Sequence, residues 1–306
     1  MSTEQFGIKI ENILSKKVLI IGSTGLIGHQ VYNYLKTNSD YFLSNFSYRK
    51  KLTPDSILLN VRNERKLEEE IIKINPSIII NCVGVLIEGS NQNPGNAIFL
   101  NAYLPHKLLV IANKIGSKLI HISTDCVFSG NNKKPYCEND EKDGVGIYAI
   151  TKSLGEISDE DHLILRTSVV GPELKNDGEE LFHWFMSQAN EIFGFTKVLW
   201  SGVTTIELAK AIHWSIEFDI KGLYHVTNNS SISKYELLKL FNKYTKKDIN
   251  ILPQGDKHID KSFADTRKLI NYEIPSYDQM ISEMIEMILR NKDLYSQYKL
   301  GVSFDP

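Results

Sequence analysis

The stretch YAITK places Tyr148 and Lys152 four residues apart, so on a helix both side chains share one face. An ammonium beside a phenol stabilises the phenolate, and such a tyrosine can hand a proton to an oxygen that is gaining charge. Upstream, STDCVFSG (123–130) follows the apolar run KLIHI and gathers hydroxyls, an acid and a thiol at one strand end. A Thr124 hydroxyl there can hydrogen-bond the same developing oxyanion. Taken alone, the tyrosine–lysine spacing fits any amphipathic helix with an exposed lysine. Its worth depends on where the fold puts it.

A second group of residues suits phosphate. KVLIIGSTGLIG (17–28) reads as a strand, then Gly22, Gly25 and Gly28, then a helix. In that arrangement Gly22 permits the tight turn, Gly25 lets backbone approach a pyrophosphate, and Gly28 allows close helix–strand packing. Thr24, Leu26 and Ile27 complete a loop whose free N–H groups and helix dipole favour phosphate oxygens. The expectation is dinucleotide binding, set against a plain glycine-rich turn. About 20 residues on, a chain selecting NAD offers an acid to the ribose 2′-hydroxyl. Here the sequence is NFSYRKK, and Arg49, Lys50 and Lys51 suit the 2′-phosphate of NADP instead. NADPH is therefore the expected cofactor and NADH the alternative, with a solvated basic loop as the other account of these residues.

The elements that must hold these groups alternate along the first half. KVLIIG (17–22), SIIINCVG (77–84), KLIHIST (118–124) and HLILRTSVV (162–170) are buried-strand patterns. Helical patterns separate them: LIGHQVYNYLK, AYLPHKLLVIANKIG (102–116) and YAITKSLGEIS. Strands spaced by such helices predict βαβ units and a parallel sheet covered on both faces, an α/β doubly wound fold of Rossmann type. The strand carrying Thr124 and the helix carrying Tyr148 then meet at the carboxyl edge of the sheet, over the cofactor. After residue 171 the regularity weakens. LFHWFMSQANEI, TTIELAKAIHWSIE, SKYELLKLFNKYT and YDQMISEMIEMILR read as helices, and GLYHVTN (222–228) as a strand. The expected organisation is a lead-in over 1–16, a cofactor domain over 17–171 and a smaller α/β substrate-binding region over 172–306, with 200–220 able to return to the first domain.

Composition bounds the partners. The 306 residues carry a formal net charge of -2 with both signs mixed, which gives no electrostatic case for nucleic acid or an anionic membrane surface. Cys82, Cys126 and Cys137 lack a metal-ligand spacing, and no zinc site or disulfide framework is expected. No apolar run approaches the roughly 18 residues that span a bilayer, and no signal peptide is visible, so a cytoplasmic chain is expected. A homodimer is the default oligomer.

From about residue 17 to 287 the chain resembles the extended short-chain dehydrogenase/reductases that act on nucleotide sugars. HISTDCVFSG, IYAITKSLGE, NCVG, RTSVVGP, SGVTTIELAKAI and GLYHVTN are most similar to its dTDP-4-dehydrorhamnose reductase group. The resemblance implies a catalytic triad of Thr124, Tyr148 and Lys152, with Tyr148 as proton donor and Lys152 holding the nicotinamide ribose. It implies that Asn81, Cys82 and Gly84 lie along the pyrophosphate and nicotinamide. It also implies substrate contacts from Asp125, Cys126, Arg166, Gly202, Val203 and Thr204, with Arg166 either pairing with phosphate or capping a strand. The implied reaction is NADPH-dependent reduction of the 4-keto group of a nucleotide-linked 4-keto-6-deoxy sugar, in deoxysugar or surface polysaccharide synthesis.

Position 126 departs from the related patterns. Nucleotide-sugar dehydratases carry Thr-Asp-Glu there, and without the glutamate elimination lacks its base. The reductases usually have tyrosine at this position. An epimerase-reductase of the GDP-fucose synthase type has a cysteine two residues before the aromatic, as Cys126 stands before Phe128, and pairs it with a later histidine, for which His183 is the candidate. Against that, Cys126 reads as a small residue packed behind the threonine, and His183 as a packing or surface histidine. The same fold also serves as a non-catalytic nucleotide-binding regulatory subunit. The loop LIEGSNQNPGN (86–96) is expected either to shape a pocket or to be a surface connection.

Overall fold

The computed structural model describes residues 15–268 and 272–301. Six parallel strands follow the first half of the chain: β1 (Lys17–Ile21), β2 (Phe42–Ser47), β3 (Ile57–Leu58), β4 (Ile78–Asn81), β5 (Lys118–Thr124) and β6 (Leu163–Thr167). Gly222–His225 adds a seventh beside β6, and the order across the sheet is Gly222–His225, β6, β5, β4, β1, β2, β3. The reversal between β1 and β4 is the switch point at which such sheets open a crevice.

Successive side chains of a strand point to opposite faces, and both faces here are dry. Val18 and Ile20 of β1 join the core shared with the C-terminal helices, while Leu19 and Ile21 join the core under Leu104, Leu108 and Ile111. This is why the strands read as continuous apolar runs rather than as alternating ones.

The chain beyond residue 171 is interleaved with the first half. The Thr205–Glu217 helix packs on the Gly28–Asn38 helix and leads into the edge strand Gly222–His225. The remainder builds small sheets, Glu191–Phe195 with Asn250–Gln254 and Val198–Trp200 between Ile232–Ser233 and Ile259–Asp260. Glu191 and Ile192, read as the end of a helix, instead open the strand Glu191–Phe195, because the helix stops at Ser187. Segment 86–96 holds two short helices, Ile87–Gln92 and Pro94–Ala97, the second started by Asn93, whose side chain accepts the Asn96 N–H. Of the lead-in, residues 1–14 lie outside the described residues. Among the described residues no helix is long and apolar enough to cross a membrane.

The two halves are locked by a buried polar network. Arg166 of β6, 1% exposed, donates to both oxygens of Glu156, at 2.9 and 2.8 Å, and its guanidinium lies 4.9 Å from the Phe128 ring. It also donates to His225 Nε2 of the edge strand at 2.8 Å, while Glu138 accepts the His225 and Thr266 N–H groups. Burial alone would raise the Glu156 pKa, but the Arg166 guanidinium, with Ser123 and Lys142, holds the carboxyl below its ordinary value. Breaking a buried ion pair strands a charge. Arg166→Met should therefore lower the unfolding free energy by about 3–5 kcal/mol in urea denaturation, and adding Glu156→Gln should restore part of it. A loss of under about 1 kcal/mol, typical of surface pairs, would remove the pair from this role.

Candidate active site

The strand register brings the carboxyl ends to one level, with Ile21 beside Asn81, Asn81 beside His121 and Thr124 beside Thr167. Residues 25–27, 81–87, 122–126 and 167–169, which end or leave those strands, line a cavity of about 390 Å³. The opposite wall comes from the second half of the chain: Glu173, Lys175, Glu179, Glu180, Leu181 and Lys234.

On the cofactor side, Gly22 has φ +87°, the left-handed region that side chains resist, and its N–H donates to Phe46 O of β2 at 2.9 Å. A Cβ on Gly28 would stand 2.2 Å from the Gly22 carbonyl oxygen, so only glycine lets the Gly28–Asn38 helix start this close to β1. That helix has no side-chain cap and no acid in its first turn, which leaves its N-terminus to a phosphate. Gly25, Leu26 and Ile27 face the cavity; Gly22, Thr24 and Gly28 form the turn behind them. Beneath the turn His29 is buried and bonds Gly25 O at 2.8 Å, and burial pushes its pKa down to about 4, so it adds no charge there. Arg49 is exposed just past β2 with its guanidinium 5.9 Å from the Tyr48 ring, outside the cavity lining. The turn, the open helix start and the basic end of β2 together fit a dinucleotide phosphate chain.

Asn81, Cys82 and Gly84 line the cavity floor beside Val83 and Val85. Asn81 is pinned there, its Oδ1 accepting the Val83 N–H at 3.1 Å and its Nδ2 meeting His121 Nδ1 at 3.1 Å. Asn101, which the sequence does not single out, holds the same loop: its side chain accepts the Val85 N–H at 2.8 Å and donates to Val85 O at 3.0 Å.

Thr124, Tyr148 and Lys152 converge on this cavity. The Thr124 hydroxyl accepts the Cys126 N–H at 3.2 Å and donates to Asp125 at 3.0 Å, which fixes the turn after β5. Tyr148 and Lys152 lie on the Ile147–Leu154 helix, and the Lys152 ammonium donates to Ile122 O of β5 at 2.6 Å. Burial raises the Tyr148 pKa, with Cys126 and Asp125 adding to the rise and Thr124 opposing it, so the phenol stays protonated. Burial pushes Lys152 down to about 8, while Glu156 and Cys82 pull it back up. At neutral pH the pair is a protonated phenol and a charged ammonium, the state that donates a proton.

Asp125 and Cys126 also line the cavity. Burial and the Asp125 charge push the Cys126 thiol up to about 12, the opposite of what a thiolate base needs. His183 does not reach it: Nδ1 is bound to Tyr298 Oη at 2.8 Å, Nε2 to Asn176 O at 3.2 Å, and the ring is not among the cavity-lining groups. The expectation of a phosphate contact from Arg166 does not match its position, since its guanidinium is committed to Glu156 and His225 in the core. Gly202, Val203 and Thr204 lie behind the lining. Val203–Thr204 pairs with Val169–Val170, and the Val203 N–H donates to Ser168 O at 2.9 Å. They back the wall that Ser168 and Val169 present. Glu180 and Lys234, unremarked in the sequence, complete the far wall; Ser233 marks a helix start by accepting the Glu236 N–H, but nothing local tells where the side chain of the next residue ends.

The chain is 27% identical over 225 residues to the spore coat polysaccharide biosynthesis protein SpsK of Bacillus subtilis, covering 72% of this chain and 76% of that protein. It is 28% identical over 249 residues to methionine adenosyltransferase 2 subunit beta of Xenopus laevis, covering 73% and 70%. A crystal structure of dTDP-4-dehydrorhamnose reductase from Bacillus anthracis in complex with NADP shares the fold with a TM-score of 0.78 at 23% identity, over 90% of this chain and 100% of that one. Residues 16–261 match the RmlD substrate binding domain. That match runs from β1 across the cavity to its far wall, and the chain belongs to the RmlD substrate binding domain family, within the extended short-chain dehydrogenase/reductases.

Proposed function

We propose that the protein is an NADP(H)-dependent oxidoreductase that reduces the 4-keto group of a nucleotide-linked 4-keto-6-deoxy sugar, in the manner of dTDP-4-dehydrorhamnose reductase. The observation that carries this reading is the convergence of Thr124, Tyr148 and Lys152 on one cavity with the glycine turn. The SpsK relative, named for spore coat polysaccharide biosynthesis, supports a role for such a reduction in polysaccharide synthesis. The hydride is what a bound dihydronicotinamide supplies.

The chain's own residues account for the proton and the charge. Tyr148 presents its hydroxyl to the carbonyl oxygen, and Thr124 does so once its hydroxyl rotates from Asp125; the oxygen accepts more strongly as it becomes an alkoxide. Tyr148 gives up its proton to that oxygen, and Lys152 stabilises the phenolate left behind. Asp125 and Lys234 line the same cavity and offer it an acceptor and a cation, groups that suit sugar hydroxyls and phosphate.

A relative named as the beta subunit of another enzyme, methionine adenosyltransferase 2, supports a second reading, that this chain is a nucleotide-binding subunit without turnover of its own. Tyr148→Phe separates the two. It should lower NADPH oxidation with a 4-keto-6-deoxy nucleotide sugar by about 10²–10⁴ while NADPH still binds. An unchanged rate would sink the catalytic role of Tyr148.

The pH profile follows from Lys152. Below about 8 the ammonium is charged and supports the phenolate; above it the support is lost. The expected kcat/KM falls as pH rises through about 8, and Lys152→Arg, which stays charged, should flatten that limb at reduced rate. A wild-type profile level to pH 9.5 would contradict this.

Because Cys126 is held protonated and His183 is engaged elsewhere, reduction in deuterium oxide should leave the carbons flanking the carbonyl unlabelled. Labelling that vanishes in Cys126→Ser would restore the epimerase-reductase alternative.

A further inference from the structure

The glycine turn is held from beneath by a histidine that takes no part in the reduction. His29, Gln30 and Tyr295 form a polar cluster there, and all three are buried. The Gly25 carbonyl oxygen accepts twice from His29, from the ring Nδ1 at 2.8 Å and from the backbone N–H at 3.3 Å. A carbonyl can only accept, so Nδ1 carries the ring proton. Burial keeps His29 neutral, which makes Nε2 an acceptor. It takes the Tyr295 hydroxyl at 3.0 Å, and Tyr295 Oη in turn accepts the Gln30 amide at 2.5 Å. The donors run one way, from Gln30 through Tyr295 and His29 to Gly25.

What this chain of bonds fixes is the direction of one peptide. The Gly25–Leu26 bond is trans, and in a trans peptide the C=O and N–H point to opposite sides. With the carbonyl drawn onto His29, the Leu26 N–H is turned the other way, to the side on which Gly25, Leu26 and Ile27 line the cavity. The Leu26 and Ile27 N–H groups donate to no acceptor among the described residues, so both are open to a phosphate. Rotating the peptide by half a turn would put a carbonyl oxygen in place of that donor, and an anion would be repelled. Glycine offers little resistance of its own to such a rotation. What opposes it is the loss of the His29 bonds in a dry interior.

We propose that His29, held in its tautomer by Tyr295, is a positioning residue for the cofactor: it latches the Gly25–Leu26 peptide so that the Leu26 N–H faces the dinucleotide pyrophosphate. Tyr295 lies beyond residues 16–261, in the turn after the Tyr277–Arg290 helix, so cofactor binding depends on the end of the chain as well as on the glycine motif. This rests on the dinucleotide reading of that motif.

The test is the NADP⁺ dissociation constant of the full chain, measured by calorimetry beside thermal unfolding of each variant. His29→Leu fills the space but offers Gly25 no donor, and its Kd should rise about 10–100-fold. His29→Asn, whose amide stands in for Nδ1–H, should stay within about threefold of the wild type. Tyr295→Phe keeps the ring and removes the hydroxyl; its Kd should rise about three- to tenfold, and it should add nothing once His29 is leucine. In turnover the loss should fall on the NADPH KM rather than on kcat, because the latch touches no reacting group. His29→Leu binding NADP⁺ as tightly as the wild type would overturn the latch, whatever its thermal stability. So would a loss in His29→Asn equal to that in His29→Leu, or a full Tyr295→Phe effect in the leucine background. Should His29→Leu not fold, Tyr295→Phe decides, and an unchanged Kd there overturns the proposal. If neither NADP⁺ nor NAD⁺ binds the wild type, the dinucleotide reading itself fails, and this proposal with it.

Discussion

The buried pair between Arg166 and Glu156 fixes more of this protein than any other contact. Glu156 stands just beyond the helix that carries Tyr148 and Lys152, and its Oε1 accepts the Ser123 hydroxyl of β5 at 2.6 Å. Ser123 precedes Thr124, so one carboxylate registers the catalytic helix against the catalytic strand. Arg166 extends the link through His225 to the edge strand and through Phe128 to Tyr136 and Phe263. Two well-packed apolar residues could be as stable or more so. What they would lack is direction: a bidentate guanidinium–carboxylate pair sets the angle and spacing of the elements that bear it.

The parts of this arrangement that were legible in the sequence are the local ones. KVLII and KLIHIST are apolar at every step because both sheet faces are covered, and that pattern has one common solution. Gly22 and Gly28 stood out because only glycine allows their turn and their contact. The tyrosine–lysine spacing gained meaning from its place after β5. Arg166 was not legible in this way. Its residue type suggested a phosphate, but its partner sits on a different segment and only the fold reveals that the guanidinium is already satisfied. The helical reading of Glu191 and Ile192 fails for another reason: a short apolar run fits either period, and pairing with Asn250–Gln254 decides it. Glu180 and Lys234 are far apart in the chain, and their meeting is a product of the interleaved second half.

The two walls of the cavity are electrostatically unlike. The sheet wall carries a protonated phenol, a high-pKa thiol and one ammonium, all shifted chiefly by burial. In a low dielectric such groups act as fixed donors that need no reorganisation when charge develops. The far wall mixes acids and lysines, and a mixed wall binds a dianion only if its acids are neutralised or turned away. Glu173 is balanced within the wall, its Oε1 taking the Glu180 N–H and its Oε2 lying 4.0 Å from the Lys175 ammonium.

Lys152 bears on whether the chain is built for turnover or for retention. A lysine moved from 10.5 to about 8 by burial costs the native state roughly 3 kcal/mol at neutral pH. The sign is that of a depressed cation: the penalty is present in full below the folded value and fades as pH rises from there toward the unfolded one. Methionine would fill the same space without the penalty. A module that only retained a nucleotide could hold it on the glycine turn and the open helix start. Keeping a charged lysine in the wall beside a protonated phenol is worth its cost where the charge changes a rate.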